Sequence, residues 1–472
     1  MSSSKESAPL LGSSKKAPPP LSFSFVVLAI LSLLCFGSYF AYDSIQNLAP
    51  ILKREINLSD TKFGALYAVY SFPNMVLPFF GGVAGDKLGL RLAALVFVTL
   101  VVLGTALVAI APLKALGLSD ESIFVTMAAG RTLFGAGAES LNVTQIAMIS
   151  EWFRDGKMMS MAFALALSMS RLGDFLAVFF GARIANAFGG FEYTLIAASA
   201  LTLLSFVGTL LYFFIDKWSQ RRYQRTKPEP QPFGWNNFKC VAKFDVRFWI
   251  ISFLCMVYYA AIMPLISMFS GWLHNKYGYD EETAGWLTSV VILASMVLSP
   301  FLGKAVDVVG RRPLIVALGS LLLLPAHVAL TITGPDYTYT IFPLWPIIAI
   351  GLSFSIVPSA LWPCVPLVIP EEQTATAFGT MTAIQNFGLF LVSLLVNWIR
   401  EHRGDESAML FFVCADCLGL AGAVVLFLVD RRKGSALSMI KGNAVLVVPA
   451  EVAAFEEYDN PYDDVPKPVK KR

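Results

Sequence analysis

The stretch Met75-Val-Leu-Pro-Phe-Phe80-Gly-Gly82-Val-Ala-Gly-Asp86-Lys-Leu-Gly89-Leu-Arg91 decides the fold, because the chain writes it again 221 residues later. Met296-Val297-Leu298 repeats Met75-Val76-Leu77, and Phe301, Gly303, Asp307, Gly310 and Arg312 repeat Phe80, Gly82, Asp86, Gly89 and Arg91. Each copy follows about twenty mostly apolar residues and opens another such run, the length that crosses the hydrocarbon of a bilayer. It reads as a short charged reversal between two membrane-spanning helices, with glycine supplying the tight turn. One copy alone would be an ordinary charged turn; two in register make two homologous halves.

Composition agrees with a life in the bilayer. Of 472 residues 56% are hydrophobic and only 15% charged, too apolar for an ordinary soluble globule. A net charge of +3 does not suggest nucleic acid as a partner, and the basic residues cluster beside apolar runs, where they act as topology signals. Of six cysteines, Cys35, Cys255, Cys364, Cys414 and Cys417 lie in apolar segments and Cys240 in a basic loop. That is no disulfide framework or metal set, and Cys414 and Cys417 read as packing residues.

Counting apolar runs gives spans near 23–43, 62–84, 91–111, 123–149, 158–182 and 191–215, then 247–272, 284–303, 312–332, 339–367, 375–399 and 408–429. The expected fold is an all-α membrane protein of twelve transmembrane helices, 6+6 with pseudo-twofold symmetry. Residues 23–215 and 247–429 form the two bundles, 216–246 the basic linker (Lys217, Arg221, Arg222, Arg225, Lys227), and 1–22 and 430–472 the tails. The tails, the linker, both repeat loops and Arg431-Arg432-Lys433 fall on one side, so both termini are expected to face the cytosol. The opposite loops, such as 44–61, carry less basic excess, and Asn57-Leu-Ser59 in that loop is a glycosylation pattern. In the first tail Glu6-Ser-Ala-Pro-Leu10-Leu11 resembles a dileucine signal, which implies clathrin adaptors as partners and delivery to lysosomes; Tyr462-Asp-Asp-Val465 is a weaker sorting pattern.

Ionisable groups inside spans are expensive, so each is a functional candidate. Arg131, Gly135, Ala138, Asn142 and Gln145 share one face of the fourth span, with Glu139 at its border. Arg171 and Asp174 share a face of the fifth. These four charges, balanced in sign, either neutralise one another or serve a substrate. An enzyme is not expected: the chain offers no nucleophile-base pair, metal spacing or phosphate loop, and His274, His327 and His402 are scattered. No cofactor is expected either.

The doubled loop resembles the loop signature of the major facilitator superfamily, and Arg131-Thr-Leu-Phe-Gly135-Ala-Gly137 is similar to its fourth-helix signature. The resemblance implies that Asp86, Arg91, Asp307 and Arg312 bond to helix ends and to each other across a closed cytosolic face. Within that superfamily, Phe36-Gly-Ser-Tyr39-Phe-Ala-Tyr42-Asp43, Gly137-Ala-Glu139-Ser-Leu, Leu167-Ser-Met-Ser-Arg171, Ala360-Leu-Trp362-Pro and Ile384-Gln385-Asn386-Phe-Gly resemble the animal lysosomal dipeptide exporters. The likeness runs through nearly all spans and fails in the tails and linker.

It implies a dipeptide uniporter in the lysosomal membrane, working with a glycosylated accessory membrane protein; a homodimer stays open. It assigns Glu139 to the peptide amino terminus and Arg171 to the carboxylate, a division that suits a zwitterion because guanidinium matches carboxylate in a planar fork. A dipeptide reaches at most about 7 Å between its ends, so a fixed gap would measure length. Trp362, Tyr39, Tyr42, Tyr258, Tyr259, Gln385 and Asn386 are the candidates for an adaptable wall, with ordinary packing the competing reading of each. The Glu-x-x-Glu-Arg motif of proton-coupled peptide transporters is missing from the first span, which favours uniport. The alternatives are a carrier of another zwitterionic or anionic metabolite, such as an amino acid or organic acid, and a non-transporting receptor or scaffold.

Overall fold

Inside hydrocarbon every backbone N–H and C=O must be satisfied within its own segment, so apolar runs of this length become helices. The computed structural model describes residues 19–154, 158–223, 240–333 and 344–439, and among them there is no strand. The first half comprises α1 (Leu21–Asn47), α2 (Ala49–Glu55), α3 (Asp60–Ser71), α4 (Leu77–Leu88), α5 (Leu90–Ile110), α6 (Asp120–Phe153), α7 (Met159–Phe188) and α8 (Glu192–Tyr223). The second comprises α9 (Val246–Tyr277), α10 (Glu281–Val309), α11 (Arg312–Ile332), α12 (Leu344–Leu361), α13 (Val365–Val368), α14 (Thr374–Arg403) and α15 (Asp405–Arg432). Ten helices are long and apolar enough to span, and the bent pair Lys62–Met75 and Leu77–Leu88 makes up to 11. The remaining span is α6, whose 34 residues reach about 50 Å at a rise of 1.5 Å each; Arg131 and Glu139 lower its hydropathy.

Several boundaries differ from the sequence reading. The second span is broken: after Ser71 the chain makes a 3-10 turn at Pro73–Met75 and restarts with a 48° bend. Pro73 and Pro78 remove the N–H groups that would carry one helix through. Loop 44–61 is largely helical, because α1 runs to Asn47 and α2 follows. The linker begins later than expected, since α8 continues to Tyr223. Cys414 and Cys417 are exposed on the outer face of α15 rather than packed inside it. In a membrane helix the outward face is apolar too, so hydrophobicity alone does not mark the core. The sorting patterns at Glu6, Leu10, Leu11 and Tyr462 lie outside the described residues.

On α10 the exposed apolar residues Trp286, Leu293, Val297, Phe301 and Val308 recur at seven, four, four and seven, a lipid-facing stripe. The halves meet along two seams, α7 against α10 and α4 against α14. Beyond α15 the chain folds back as a short strap. Leu437 is fully buried, its N–H and the Ser438 hydroxyl donate to the Asp430 carboxylate, and the N–H groups of Arg311 and Arg312 donate to the carbonyls of Ser438 and Leu437. The second repeat loop is thereby tied down.

Candidate functional site

Two features stand out along the seams: the pair of repeated loops, candidate gates at one end of the bundle, and a charged centre. At the gates, Gly89 (φ 83) turns the chain between α4 and α5, and Gly310 (φ 64) with Arg311 (φ 45) turns it between α10 and α11. Asp86 projects from the end of α4, and its carboxylate accepts the backbone N–H groups of Ala375 and Thr376 at 3.0 and 2.7 Å. Asp307 does the same from α10 to Ser160 and Met161, at 2.9 and 2.8 Å. Neither α14 nor α7 has a side-chain cap of its own, so each half caps a helix of the other. The first N–H groups of a helix lack internal partners and its N-terminus carries partial positive charge, so a carboxylate there satisfies both.

The arginines part company. Arg312 lies 3.5 Å from Asp307, whereas Arg91 turns from its own loop to Asp216 on α8, at 3.6 Å. Of the expected contacts, bonding to helix ends is seen for both aspartates, and the contact between aspartate and arginine of one loop for the second copy only. Arg154 adds a third bridge between the halves by donating to the Thr374 hydroxyl at 2.7 Å.

At the centre, α6 presents Glu139 half-buried, accepting a weak hydrogen bond from the Tyr70 hydroxyl at 3.4 Å. From α7 comes Arg171, only 4% exposed, with its guanidinium carbon 3.5 Å from the centroid of the Phe354 ring on α12. Its Nε is enclosed without a hydrogen-bond partner. Among the described residues no carboxylate oxygen lies within ion-pair distance of Arg171, and Glu139 is not paired with either arginine. No direct ion pair therefore joins the four span charges, although Arg171 and Asp174 still feel each other's charge along α7. Asp174 also stands beside Asp43 of α1, another carboxyl group. Glu139, Asp174, Asp43, Tyr39, Tyr42, Gln385 and Asn386 are all half-buried, so the centre keeps some accessible surface.

Arg131 belongs to a different environment. It is fully buried, its Nε donates to the Leu66 carbonyl at 3.3 Å, and its guanidinium carbon lies 4.9 to 5.7 Å from the rings of Tyr42, Tyr67, Tyr70 and Phe134. Aromatic faces attract a guanidinium, so this cage holds the cation within the first half. Tyr42 thus lines this cage as well as bordering the centre, and Tyr70 links the cage to Glu139.

The other wall candidates are placed as follows. Trp362 stands at the 3-10 turn Trp362–Cys364, where α12 stops, and donates to the Tyr259 hydroxyl at 3.2 Å. The Tyr258 hydroxyl meets the Ser353 hydroxyl at 3.3 Å, and the Gln385 side-chain oxygen accepts from the Cys255 thiol at 3.4 Å. Asn386 reaches across to the first half and donates to the Asn74 carbonyl at 3.1 Å; that carbonyl lies in the break of the second span. Tyr39 packs beside Gly173, half a turn from Arg171.

Two contributors escaped the sequence. Phe354 sits in an apolar run where nothing distinguishes it from core, whereas Asn74 follows Pro73 and could have been found as a polar residue beside a helix breaker. His327, scattered in sequence, pairs at 2.6 Å with Asp416, fully enclosed between α11 and α15. That pair lies inside the second half.

Comparison with known proteins agrees with this geometry. Residues 31–393 match the model of the Major Facilitator Superfamily. The chain is 32% identical over 435 residues to a Bos taurus protein named lysosomal dipeptide transporter MFSD1, with 89% of each chain covered. It is 33% identical over 434 residues to the Danio rerio protein of the same name, covering 89% of this chain and 90% of that one. A solved structure of the human organic anion transporter MFSD10 superposes with a TM-score of 0.66 at 16% identity, covering 86% of this chain and all of the other, which supports the fold alone.

Proposed function

The chain belongs to the major facilitator superfamily, and from that premise we propose that it is a lysosomal dipeptide transporter that carries its substrate to the cytosol as a uniporter. The relatives named as lysosomal dipeptide transporters support the substrate class and the organelle. One observation supports the reading at atomic level: an acid on α6 and a guanidinium on α7 form no direct ion pair and stand beside a half-buried centre. A zwitterion with an ammonium at one end and a carboxylate at the other completes both. Burying either charge alone would be costly, so occupancy by the right substrate lowers the free energy of the site.

With both gate aspartates capping helices of the opposite half, this state is closed to the cytosol. Transport then needs the halves to rock so that Asp86 releases α14 and Asp307 releases α7, opening the other face. Each state is held by contacts the other lacks, and a substrate that binds both states can be passed between them without a second ion. The glycosylated accessory membrane protein, adaptor binding through Glu6, Leu10 and Leu11, both termini in the cytosol and a homodimer remain part of the same proposal.

Flux of a labelled dipeptide into proteoliposomes tests it. Glu139→Gln and Arg171→Ala should each reduce flux at least tenfold while the protein still elutes as a folded species. Undiminished uptake by both would remove the assigned roles, and competition by free amino acids as strong as by dipeptides would favour the metabolite-carrier alternative.

A further inference from the structure

Arg171 and Phe354 come from opposite halves, on α7 and α12, yet theirs is the shortest cation-to-ring contact among the described residues, with the guanidinium carbon 3.5 Å from the ring centroid. An N–H aimed into the ring would place a nitrogen between the two and push that carbon farther out by about 1.3 Å, one C–N bond. The guanidinium must therefore lie flat on the ring. A flat stack occupies its face and leaves its in-plane N–H fork free, and that fork is the geometry a carboxylate takes.

Phe354 is itself fixed before any ligand arrives. It is 2% exposed, its backbone carbonyl accepts the Ser295 hydroxyl at 3.1 Å, and the Tyr259 ring stands edge-on to it at 6.4 Å. Tyr259 in turn accepts the Trp362 indole N–H. The ring is thus held by its own half and serves as a plate against which the arginine of the other half is laid.

We propose that Phe354 is a positioning residue for the substrate carboxylate: by stacking on the face of the Arg171 guanidinium it fixes the plane of the N–H fork, and so sets the demand for a free peptide C-terminus. This rests on the dipeptide reading above and deepens it. Without the ring, a long flexible side chain has to be ordered by the carboxylate alone, and the entropy of that ordering is subtracted from binding. Because the ring and the guanidinium belong to different halves, the carboxylate anchor is complete only when the halves are in register at the centre.

The test compares two probes on purified full-length protein, a free dipeptide and the same dipeptide amidated at its C-terminus, by equilibrium binding to wild type, Phe354→Leu and Phe354→Tyr. Wild type should prefer the free acid by tenfold or more. Phe354→Leu should lose about tenfold toward the free acid and almost nothing toward the amide, collapsing the ratio, while Phe354→Tyr, which keeps the ring, should restore it. Equal losses toward both probes in Phe354→Leu, or an unchanged ratio, would overturn the proposal by showing a merely structural residue. A wild type indifferent to amidation would instead overturn the dipeptide reading itself, and the proposal with it.

Discussion

Asp86 and Asp307 cap helices of the opposite half with nearly the same distances, yet the residues around them have diverged: Arg312 stays beside Asp307, while Arg91 has gone to Asp216. At the centre the divergence is complete. The first half supplies the charges, Glu139, Arg171, Asp174 and Asp43, and the second supplies Phe354, Trp362, Tyr258, Tyr259, Gln385 and Asn386. Both halves had to keep the parts that move them against each other. Under the proposed function only one half needs to be charged, because a zwitterion would be gripped by two groups that hold their spacing while everything else adapts.

The strongest challenge to this comparison is made at the glycines that let the seams close. A side chain at Gly82 would land on the Ala375 carbonyl, and one at Gly303 would lie 2.7 Å from the Ser160 carbonyl oxygen. Gly82→Val and Gly303→Val should each cut flux tenfold or more and leave the repeat-loop ends of the two halves apart, read as increased labelling of a cysteine placed at Thr376 or Met161. Full activity in either would mean that the close approach is not needed for the cycle.

A smaller effect separates the two aspartates. Asp307→Asn leaves Arg312, 3% exposed, without its anion, whereas Asp86→Asn leaves Arg91 with Asp216. Thermal unfolding should therefore show Asp307→Asn costing about 3 kcal/mol, the scale of a broken buried pair, and Asp86→Asn about 1 kcal/mol, the scale of a weakened hydrogen bond. Equal costs would say that the copies remain equivalent.

The smallest concerns Asp245 at the start of α9. Burial raises its carboxyl, but hydrogen bonds from Arg247 and from Lys433 outweigh that and hold it below the usual carboxylate range. A lowered value means that its stabilisation is fully present above the unfolded value, about 3.9, and is lost only as pH falls through the folded value beneath it. Asp245→Asn should then cost the same few tenths of a kcal/mol, about the worth of a partly exposed pair, at pH 5 and at pH 7.5. A cost that changes across that window would mean that the clamp responds to acidity.

What could be read from the chain follows the physics of each feature. The gates were legible because they are written twice, and a repeat in register is hard to produce by chance. The spans were legible from length and hydropathy, yet their ends were not: the helical run of α8 to Tyr223 and the helix α2 are polar enough to read as loop. Glu139 and Arg171 stood out because charge in a span is rare. Phe354 did not, since an aromatic on an apolar helix looks the same whether it packs on leucine or on a guanidinium. Arg131 and Tyr42 were recognisable as a cation and a ring, but only the fold put them in one cage, joined to Glu139 through Tyr70.

The central claim is that Glu139 holds the amino end of the substrate while Arg171 holds its carboxyl end. It is tested most directly by a cycle that pairs a change in the protein with a change in the ligand, measuring binding of a dipeptide and its N-acetyl form to wild type and to Glu139→Gln. Two changes that act on one contact are not additive. The account predicts that acetylation weakens binding to wild type by tenfold or more and has little further effect once Glu139 is neutral. The same penalty in both proteins would contradict it, because the amino group would then be held somewhere else.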